Sequence, residues 1–264
     1  METVNEEMLE LIKRLSVDRQ LSEFYLVGGT ALSLQLGHRA SVDVDLFTQK
    51  KFDSKEISGY LKETYGAEVT GTMDSATFGF IGSVKVDIVA HPHKWLASPI
   101  VEEGIRMASL DDIAAMKLNA IVHSGTRKKD FIDIYALLEH RTLNEMTEAY
   151  ERKYQIMNAA VAKQALLYHK DIEKGTQITW LDRPQRLWVH IADRLEDAVY
   201  NPQNLYTKTL DWRTNEESDG LSIFEEYQER YLARISHNLD ESPGRGKGNG
   251  RGYGYGNEQQ FIVH

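Results

Sequence analysis

Hydrophobic and polar positions along the first fifty residues predict an alternation of helices and strands. Residues 5–15 carry apolar side chains at helical spacing, namely Met8, Leu11, Ile12 and Leu15. The next apolar run, 24–27, is short and aromatic, as in a buried strand. Residues 31–36 again follow a helical pattern, and in 42–46 apolar residues alternate with aspartates, which is the period-two signature of a strand. The chain is therefore predicted to begin with helix, strand, helix and strand.

A pair of glycines ends the first predicted strand. Thr30 follows Gly28 and Gly29 and is predicted to cap the short helix that Gly37 ends. Paired glycines let backbone amides approach a phosphate closely, and the start of a helix adds its positive dipole end. Gly28, Gly29 and Thr30 therefore form a candidate nucleotide-binding turn.

After residue 50 the pattern predicts three more strands and then only helices. A helical stretch near 53–64 precedes extended segments at 67–72, 76–82 and 84–90, which brings the sheet to about five strands. Ser109 and Asp112 predict a capping box. Helical patterns follow at 110–122, 127–139, 144–168, 184–199 and 221–236. We predict an α+β fold with an α/β domain over 1–108 and a helical domain over 109–240.

The segment 241–264 differs in composition from the rest of the chain. Its run SPGRGKGNGRGYGYGN contains seven glycines and no aliphatic residue, so it is predicted to be a flexible Gly-rich tail. Its cations and tyrosines can stack on or pair with RNA. Composition alone favours a solvated low-complexity end over an RNA-binding one.

Composition and charge narrow the classes of function. The 264 residues are 41% hydrophobic and contain no cysteine, which excludes disulfides and thiolate metal sites. The formal charge of -9 argues against extensive coating of nucleic acid, although a local basic groove remains compatible with it. Because no apolar run is long enough to span a membrane and the acidic first residues are unlike a signal peptide, we expect a cytoplasmic protein without a membrane partner.

Three aspartates stand in predicted strands where the neighbouring residues are apolar. Asp43 and Asp45 are two residues apart and point to one face of their strand, so they can share a hard divalent cation such as Mg²⁺ or Mn²⁺. Asp87 lies at the centre of the predicted strand 84–90 and is a candidate third ligand or base. Aspartates near strand ends often only cap turns. A buried carboxylate without a partner is expensive, however, so these three need cations nearby.

Two longer stretches resemble a known enzyme family. FYLVGGTALSLQLGHRASVDVDLF resembles the first motif of polymerase-β-like nucleotidyltransferases, and more narrowly of the AbiEii/AbiGii toxin family. ASLDDIAAMKLNAIVHSGTRKKDFIDIYALLE resembles that family's helical lysine, its arginine and its KDxxDL segment. Together the two matches span residues 24–139. The resemblance implies a mixed sheet flanked by helices, a following helical domain, and an active site in the cleft between them.

The resemblance also implies roles for individual residues. Gly28, Gly29 and Thr30 would contact the triphosphate of a nucleoside triphosphate (NTP), and Asp43 and Asp45 would bind the metal. Lys117 and Asp130 would be further essential residues. Many family members are toxins of toxin–antitoxin or phage-defence systems, and some relatives add nucleotides to transfer RNA.

Five polar residues near these motifs are further candidates for structural or functional roles. Lys117 interrupts an apolar helix face and needs an anion, either a triphosphate or solvent reached by snorkelling. Arg39 and Ser41 flank the DxD strand and are candidates for nucleotide binding. Arg39 can bind a phosphate, or it can form a structural ion pair with Asp45 or Asp133. Asp130 and Asp133 fit ordinary pairing within a helix. We nevertheless assign a functional role to Asp130 and a structural one to Asp133.

The expected activity is metal-dependent transfer of a nucleoside monophosphate from an NTP to an RNA acceptor, with transfer RNA as the favoured acceptor and a cognate antitoxin as a possible partner. Asp87 would be the base or third ligand, and Lys117 would hold the phosphates. Transfer to a protein hydroxyl or to a small molecule such as an antibiotic is an alternative. A second alternative is a degenerate domain that has no activity and only binds a partner protein or a nucleotide. The residues beyond about 170 match no family pattern and leave the acceptor open.

Overall fold

The fold is described from a computed structural model, which describes residues 3–173, 175–181 and 188–206. The predicted helix at 221–236 and the predicted Gly-rich tail lie outside the described residues. In chain order the elements are α1 (Glu6–Val17), β1 (Tyr25–Leu26), α2 (Gly28–Leu36), β2 (Asp43–Thr48), α3 (Ser54–Tyr65), β3 (Glu68–Met73), β4 (Ala76–Ile81), β5 (Val84–Ala90), β6 (Ile100–Glu102), β7 (Ile105–Met107), α4 (Leu110–His123), α5 (Lys128–Leu137), α6 (Leu143–Lys153), α7 (Ala159–Leu166) and α8 (Trp188–Tyr200).

The strands form one mixed sheet in the order β3-β4-β5-β2-β1-β7-β6. The pairs β2–β5 and β1–β7 are parallel and the other neighbours are antiparallel. The central strands β2 and β5 are extensively buried: five consecutive side chains of β2 and four consecutive side chains of β5 are buried. The predicted α+β class is confirmed.

The sheet is larger than the sequence pattern predicted. It has seven strands in the described residues, because β6 and β7 form a short hairpin beyond the five predicted ones. Each of these two strands has only three residues, which is too short for a period-two pattern to stand out. Glu103 and Gly104, which both have a positive φ, form the turn of this hairpin.

The helical part departs from prediction at one place. The stretch 144–168 was predicted as helical, but it divides into α6 and α7. Asn158 ends the break by capping α7 with its side chain. Helix α4 begins at Leu110 with Ser109 as its N-cap, three residues after β7 ends, so the change from sheet to helices falls where it was expected. The division into two domains stays a prediction.

Helix α2 connects the two halves of the molecule. It packs against β2 on one side and against α4 and α5 on the other. Buried residues of the sheet and the helices belong to one continuous hydrophobic core. The end of α2 and the start of β2 therefore face the helices α4 and α5 across a short distance. Within the described ranges, every helix is too short or too polar to cross a membrane.

Candidate active site

The glycine pair stands directly over the DxD strand. Gly28 has a φ of 67°, a backbone conformation that residues other than glycine rarely adopt. A Cβ atom there would also collide with the carboxylate of Asp45. At Gly29 a Cβ atom would collide with the guanidinium of Arg39. The amide of Val27 donates to the carbonyl of Asp45. Glycine is therefore needed twice because the start of α2 lies against two charged groups.

Thr30 has a different role from the predicted one. It is the third residue of α2, whose N-cap is Val27 and has no side-chain capping bond. The Thr30 hydroxyl donates to the carbonyl of Asp43 and is hydrogen-bonded to the Ser41 hydroxyl at 2.8 Å. The prediction that Thr30 caps α2 is wrong. Instead Thr30 and Ser41, both buried, fasten the start of β2 to the first turn of α2.

The three aspartates predicted from the sequence come together on neighbouring strands. In the parallel pair β2–β5, Asp45 lies opposite Asp87 and Asp43 lies opposite Lys85. Residues opposite each other in a ladder point to the same face, so Asp43, Asp45, Asp87 and Lys85 form a square on the sheet, which we call the acidic square. Asp45 and Asp87 are 8% and 2% exposed.

The buried carboxylates of the acidic square are incompletely paired. Among the described residues, Asp45 Oδ1 and Asp87 Oδ1 are buried oxygens without a hydrogen-bond partner. Burial, followed by the neighbouring charge of Asp87, raises the pKa of Asp45 to about 7. Lys85 Nζ lies 2.8 Å from Asp87 Oδ2 and balances part of this charge. A cation bound here would remove the repulsion that raises the pKa of Asp45.

A second charged group lies across from the acidic square, on the helices. Lys117 Nζ lies 2.6 Å from Asp130 Oδ1 and 2.7 Å from Asp133 Oδ2. Arg39 donates to both oxygens of Asp133, at 2.7 and 2.9 Å, and His38 Nε2 lies 2.9 Å from the same carboxylate. We call these five residues the helical charge network. All five are buried.

Asp133 is the centre of the helical charge network. Burial by itself would raise the pKa of Asp133. The charges of Arg39 and Lys117, with hydrogen bonds from His38 and Arg39, instead hold that pKa well below its usual value. Of the two partners left open for Arg39, the structure selects Asp133 over Asp45. The anion that Lys117 needs is supplied by Asp130 and Asp133, so contact of Lys117 or Arg39 with a triphosphate stays a prediction.

The two groups are electrostatically linked. The charge of Lys117 lowers the pKa of Asp45, although burial and Asp87 raise it by more. The charge of Asp43 contributes to raising the pKa of Arg39. Lys129, in the first turn of α5, is partly buried, and its ammonium lies in the field of Arg39 and Asp43. The acidic square and the helical charge network thus bring both signs of charge close together.

The acidic square fits a divalent cation by the chemistry of its donors. No group of three or more histidine, aspartate or glutamate side chains in the described ranges is already gathered around one point. The carboxylates nevertheless offer unpaired buried oxygens on one face of the sheet, which are the hard ligands that Mg²⁺ and Mn²⁺ prefer.

Two features of the site were missed by sequence reasoning. Lys85 was not singled out, although its position two residues before Asp87 puts it on the same strand face. The central role of Asp133 was underestimated, because its contacts to residues 38 and 39 are about 94 positions away in sequence.

His91 and His93 form no metal site with the described residues. His91 Nε2 is hydrogen-bonded to the Tyr154 hydroxyl at 3.1 Å instead.

Two tryptophans of the described residues, Trp180 and Trp188, are core residues. Trp180 packs edge-on against Tyr135, and Trp188 packs against Phe131 and His169. Trp212 lies outside the described residues. Backbone bonds between 179–181 and 38–40 place the segment with Trp180 beside the loop that carries Arg39.

Comparison with known proteins shows the family of the chain. The family profile described as "Nucleotidyl transferase AbiEii toxin, Type IV TA system" matches residues 10–216. The expectation that the family resemblance ends near residue 170 is therefore wrong. An uncharacterized protein of Aquifex aeolicus is 31% identical over 171 residues, which cover 62% of this chain and 81% of that protein.

Two solved structures resemble the fold at low identity. The nucleotidyltransferase toxin MenT4 of Mycobacterium tuberculosis is 13% identical, with a TM-score of 0.44 over 85% of this chain and 92% of that one. The Helicobacter pylori protein JHP933 is 19% identical, with a TM-score of 0.39 over 75% and 97% of the two chains. Since the family profile covers more than half of the sequence and includes the glycine turn, the DxD strand and both helices of the site, the chain belongs to the AbiEii nucleotidyl transferase toxin family and is a nucleotidyltransferase.

Proposed function

We propose that this enzyme transfers a nucleoside monophosphate from an NTP to a hydroxyl group of an RNA acceptor, with transfer RNA as the favoured acceptor. The observation that carries the proposal is the register of β2 and β5, which sets Asp45 opposite Asp87 beside the first turn of α2. A triphosphate needs both a metal-binding acid cluster and backbone donors, and here the two are adjacent.

Of the three carboxylates of the acidic square, Asp43 and Asp45 would hold Mg²⁺ or Mn²⁺ in the proposed reaction. When bound, the metal supplies charge neutralisation to the triphosphate. The amides at Gly28, Gly29 and Thr30 face the triphosphate, and the α-phosphate is attacked by the acceptor hydroxyl while pyrophosphate leaves. Asp87, the least exposed of the three, serves as a ligand or as the base that takes the hydroxyl proton.

The helical charge network has a supporting part in this proposal. Lys117 and Arg39 already have carboxylate partners, so their positive charge is held in place before a substrate arrives. Such fixed charges lose little free energy to reorganisation when negative charge develops nearby. Lys117, Asp130 and Arg39 would therefore act on the reaction mainly by position, and Ser41 and Thr30 by holding β2 against α2.

The acceptor is tested by following the label. Purified full-length protein is incubated with each labelled NTP, Mg²⁺ and total RNA, and the label is then located in RNA, in protein or in neither. Label in RNA of transfer-RNA size supports the proposal. Label in protein alone contradicts it and favours the alternative acceptor, a protein hydroxyl. Absence of label from every fraction, and from added small-molecule acceptors, would favour a domain that only binds a partner.

The metal assignment has its own control. Asp43→Ala and Asp45→Ala should abolish labelling, whereas Asp74→Ala should keep it, because Asp74 lies exposed in the turn between β3 and β4. Full labelling by either of the first two variants contradicts the assignment.

A toxin role is the second part of the proposal, and it rests on the family description. We expect that expression of the chain stops bacterial growth, and that a cognate antitoxin relieves this arrest. Asp45→Ala should remove the arrest at equal protein level. Arrest by Asp45→Ala as strong as that by the unaltered chain would show that toxicity does not depend on transfer.

A further inference from the structure

The acidic square contains a cation of its own, Lys85. Its ammonium lies 2.8 Å from Asp87 Oδ2, while the other oxygen of that carboxylate has no hydrogen-bond partner within the part of the chain that the structure describes. Lys85 also stands directly opposite Asp43 in the ladder, yet its side chain runs along its own strand to Asp87. One corner of the square is therefore already neutralised.

The charge balance of the square matches one divalent ion. Three carboxylates and one ammonium carry two net negative charges when all four groups are ionised. A second divalent ion would have to approach the ammonium of Lys85 closely, in a site where Asp87 is almost completely buried. Repulsion between cations a few ångströms apart is strong when water is excluded.

Lys117 does not change this balance. It is positively charged and acts on Asp45, but its own ammonium lies within 2.7 Å of both Asp130 and Asp133. Its charge is thus compensated by the helical charge network. Lys85 is different, because its ion pair is with a carboxylate of the square itself.

We propose that Lys85 is a resident cation of the acidic square, occupying the Asp87 side so that the enzyme without nucleotide binds a single divalent ion, held by Asp43 and Asp45. The inference rests on the proposed metal-binding role of these aspartates. It adds that Asp87 is bound to Lys85 and is not a ligand of that first ion.

Direct metal binding tests the proposal without any measurement of activity. Mn²⁺ is titrated into full-length protein without nucleotide, and free Mn²⁺ is followed by its electron paramagnetic resonance signal. The unaltered protein should bind one ion. Lys85→Met removes the ammonium and should bind two, whereas Lys85→Arg keeps the charge and should bind one. Lys62→Met, an exposed lysine in the last turn of α3, is the matched control and should also bind one.

Two further variants locate the effect. Asp87→Asn should still bind one ion, because the proposed ligands are Asp43 and Asp45. The double variant Lys85→Met with Asp87→Asn should return from two ions to one, since the second ion needs the Asp87 carboxylate. Thermal melts establish that each variant is folded, and Lys85→Gln replaces Lys85→Met if the latter is not.

The outcomes separate this inference from the proposed function. One ion bound by Lys85→Met, or loss of all binding in Asp87→Asn, overturns the resident-cation role and leaves the transfer reaction standing. Failure of the unaltered protein to bind any Mn²⁺ would overturn the metal assignment itself. Absence of nucleotide transfer with one bound ion would overturn the proposed reaction and not the role of Lys85.

Discussion

The sheet and the helices each bury carboxylates in this protein, and the two sets differ in how they are paired. On the helices, Asp133 is fully buried and has bonds from Arg39, His38 and Lys117. On the sheet, Asp45 and Asp87 are nearly as buried, but each has an oxygen for which the described residues supply no hydrogen-bond partner.

The pKa values follow the same division. That of Asp133 is held well below the usual range, against burial, by its cationic partners. That of Asp45 is raised to about 7 by burial and by Asp87. Equal burial thus says little about function, whereas a buried carboxylate with an unsatisfied oxygen is a candidate ligand-binding group.

The largest expected effect concerns activity. Asp45→Asn keeps the shape of the side chain but removes its charge, so transfer should fall by about 10³-fold or more, because metal-bound charge stabilisation contributes several kcal/mol. Label incorporation by folded protein measures the loss, with Asp74→Asn as the exposed control. A loss below tenfold would place Asp45 with the structural carboxylates.

Asp133→Asn should instead lower the free energy of unfolding, by about 3–4 kcal/mol. The variant leaves Arg39 and Lys117 buried with less compensating charge, and such broken buried pairs are strongly destabilising. Urea unfolding of this variant and of Asp74→Asn measures the difference. Unchanged stability would mean that Asp130 and solvent compensate both cations, and the contrast with Asp45 would disappear.

Arg39→Lys should have a smaller effect of the same sign, about 2 kcal/mol. Arg39 donates two hydrogen bonds to Asp133, and an ammonium group cannot reproduce that planar pair. Urea unfolding again measures it, with Arg19→Lys as a control at an exposed position. A loss as large as that of Asp133→Asn would indicate that geometry, and not charge, holds the network.

The smallest effect is a dependence of stability on pH with opposite sign at the two carboxylates. Because the pKa of Asp45 is raised from 3.8 to about 7, the folded state binds more protons than the unfolded state in this window, so stability falls as pH rises from 4 to 7. Asp133, with its lowered pKa, stabilises the fold above about pH 4 and loses that contribution as pH falls further.

Urea unfolding at pH 5 and pH 8, without divalent ions, isolates the Asp45 contribution. Asp45→Asn should gain roughly 1–2 kcal/mol over the unaltered protein on going from pH 5 to pH 8. Mg²⁺ at pH 8 should stabilise the unaltered protein and leave the variant unchanged, if Asp45 binds the metal. A gain by the variant that does not depend on pH would exclude the raised pKa as its cause.

Local pattern was sufficient for most of the elements. Strand β5 was predicted as 84–90 and observed as Val84–Ala90. The prediction succeeded because a long apolar run follows the turn residues Gly82 and Ser83. Strands β6 and β7 were missed since three residues carry no detectable period. The capping role predicted for Thr30 was wrong, because its hydroxyl donates to the carbonyl of Asp43 in β2 instead.

The sequence by itself determined the chemistry present: a glycine pair, the DxD strand, Asp87 in an apolar run, and a lysine in a helix face that needs an anion. Side-chain period and the cost of burying charge are local properties, so they can be read along the chain. Only the tertiary structure decided which charge meets which.

Asp45 lies beside Asp87 because β2 and β5 are parallel and in register, and Asp133 meets Arg39 because α5 packs against the end of α2. Partners separated by 40 to 95 residues are chosen by packing of the whole core, which no local pattern contains. That packing gave Asp133 three cationic or hydrogen-bonding partners, whereas Asp45 and Asp87 each keep one oxygen that no described residue bonds.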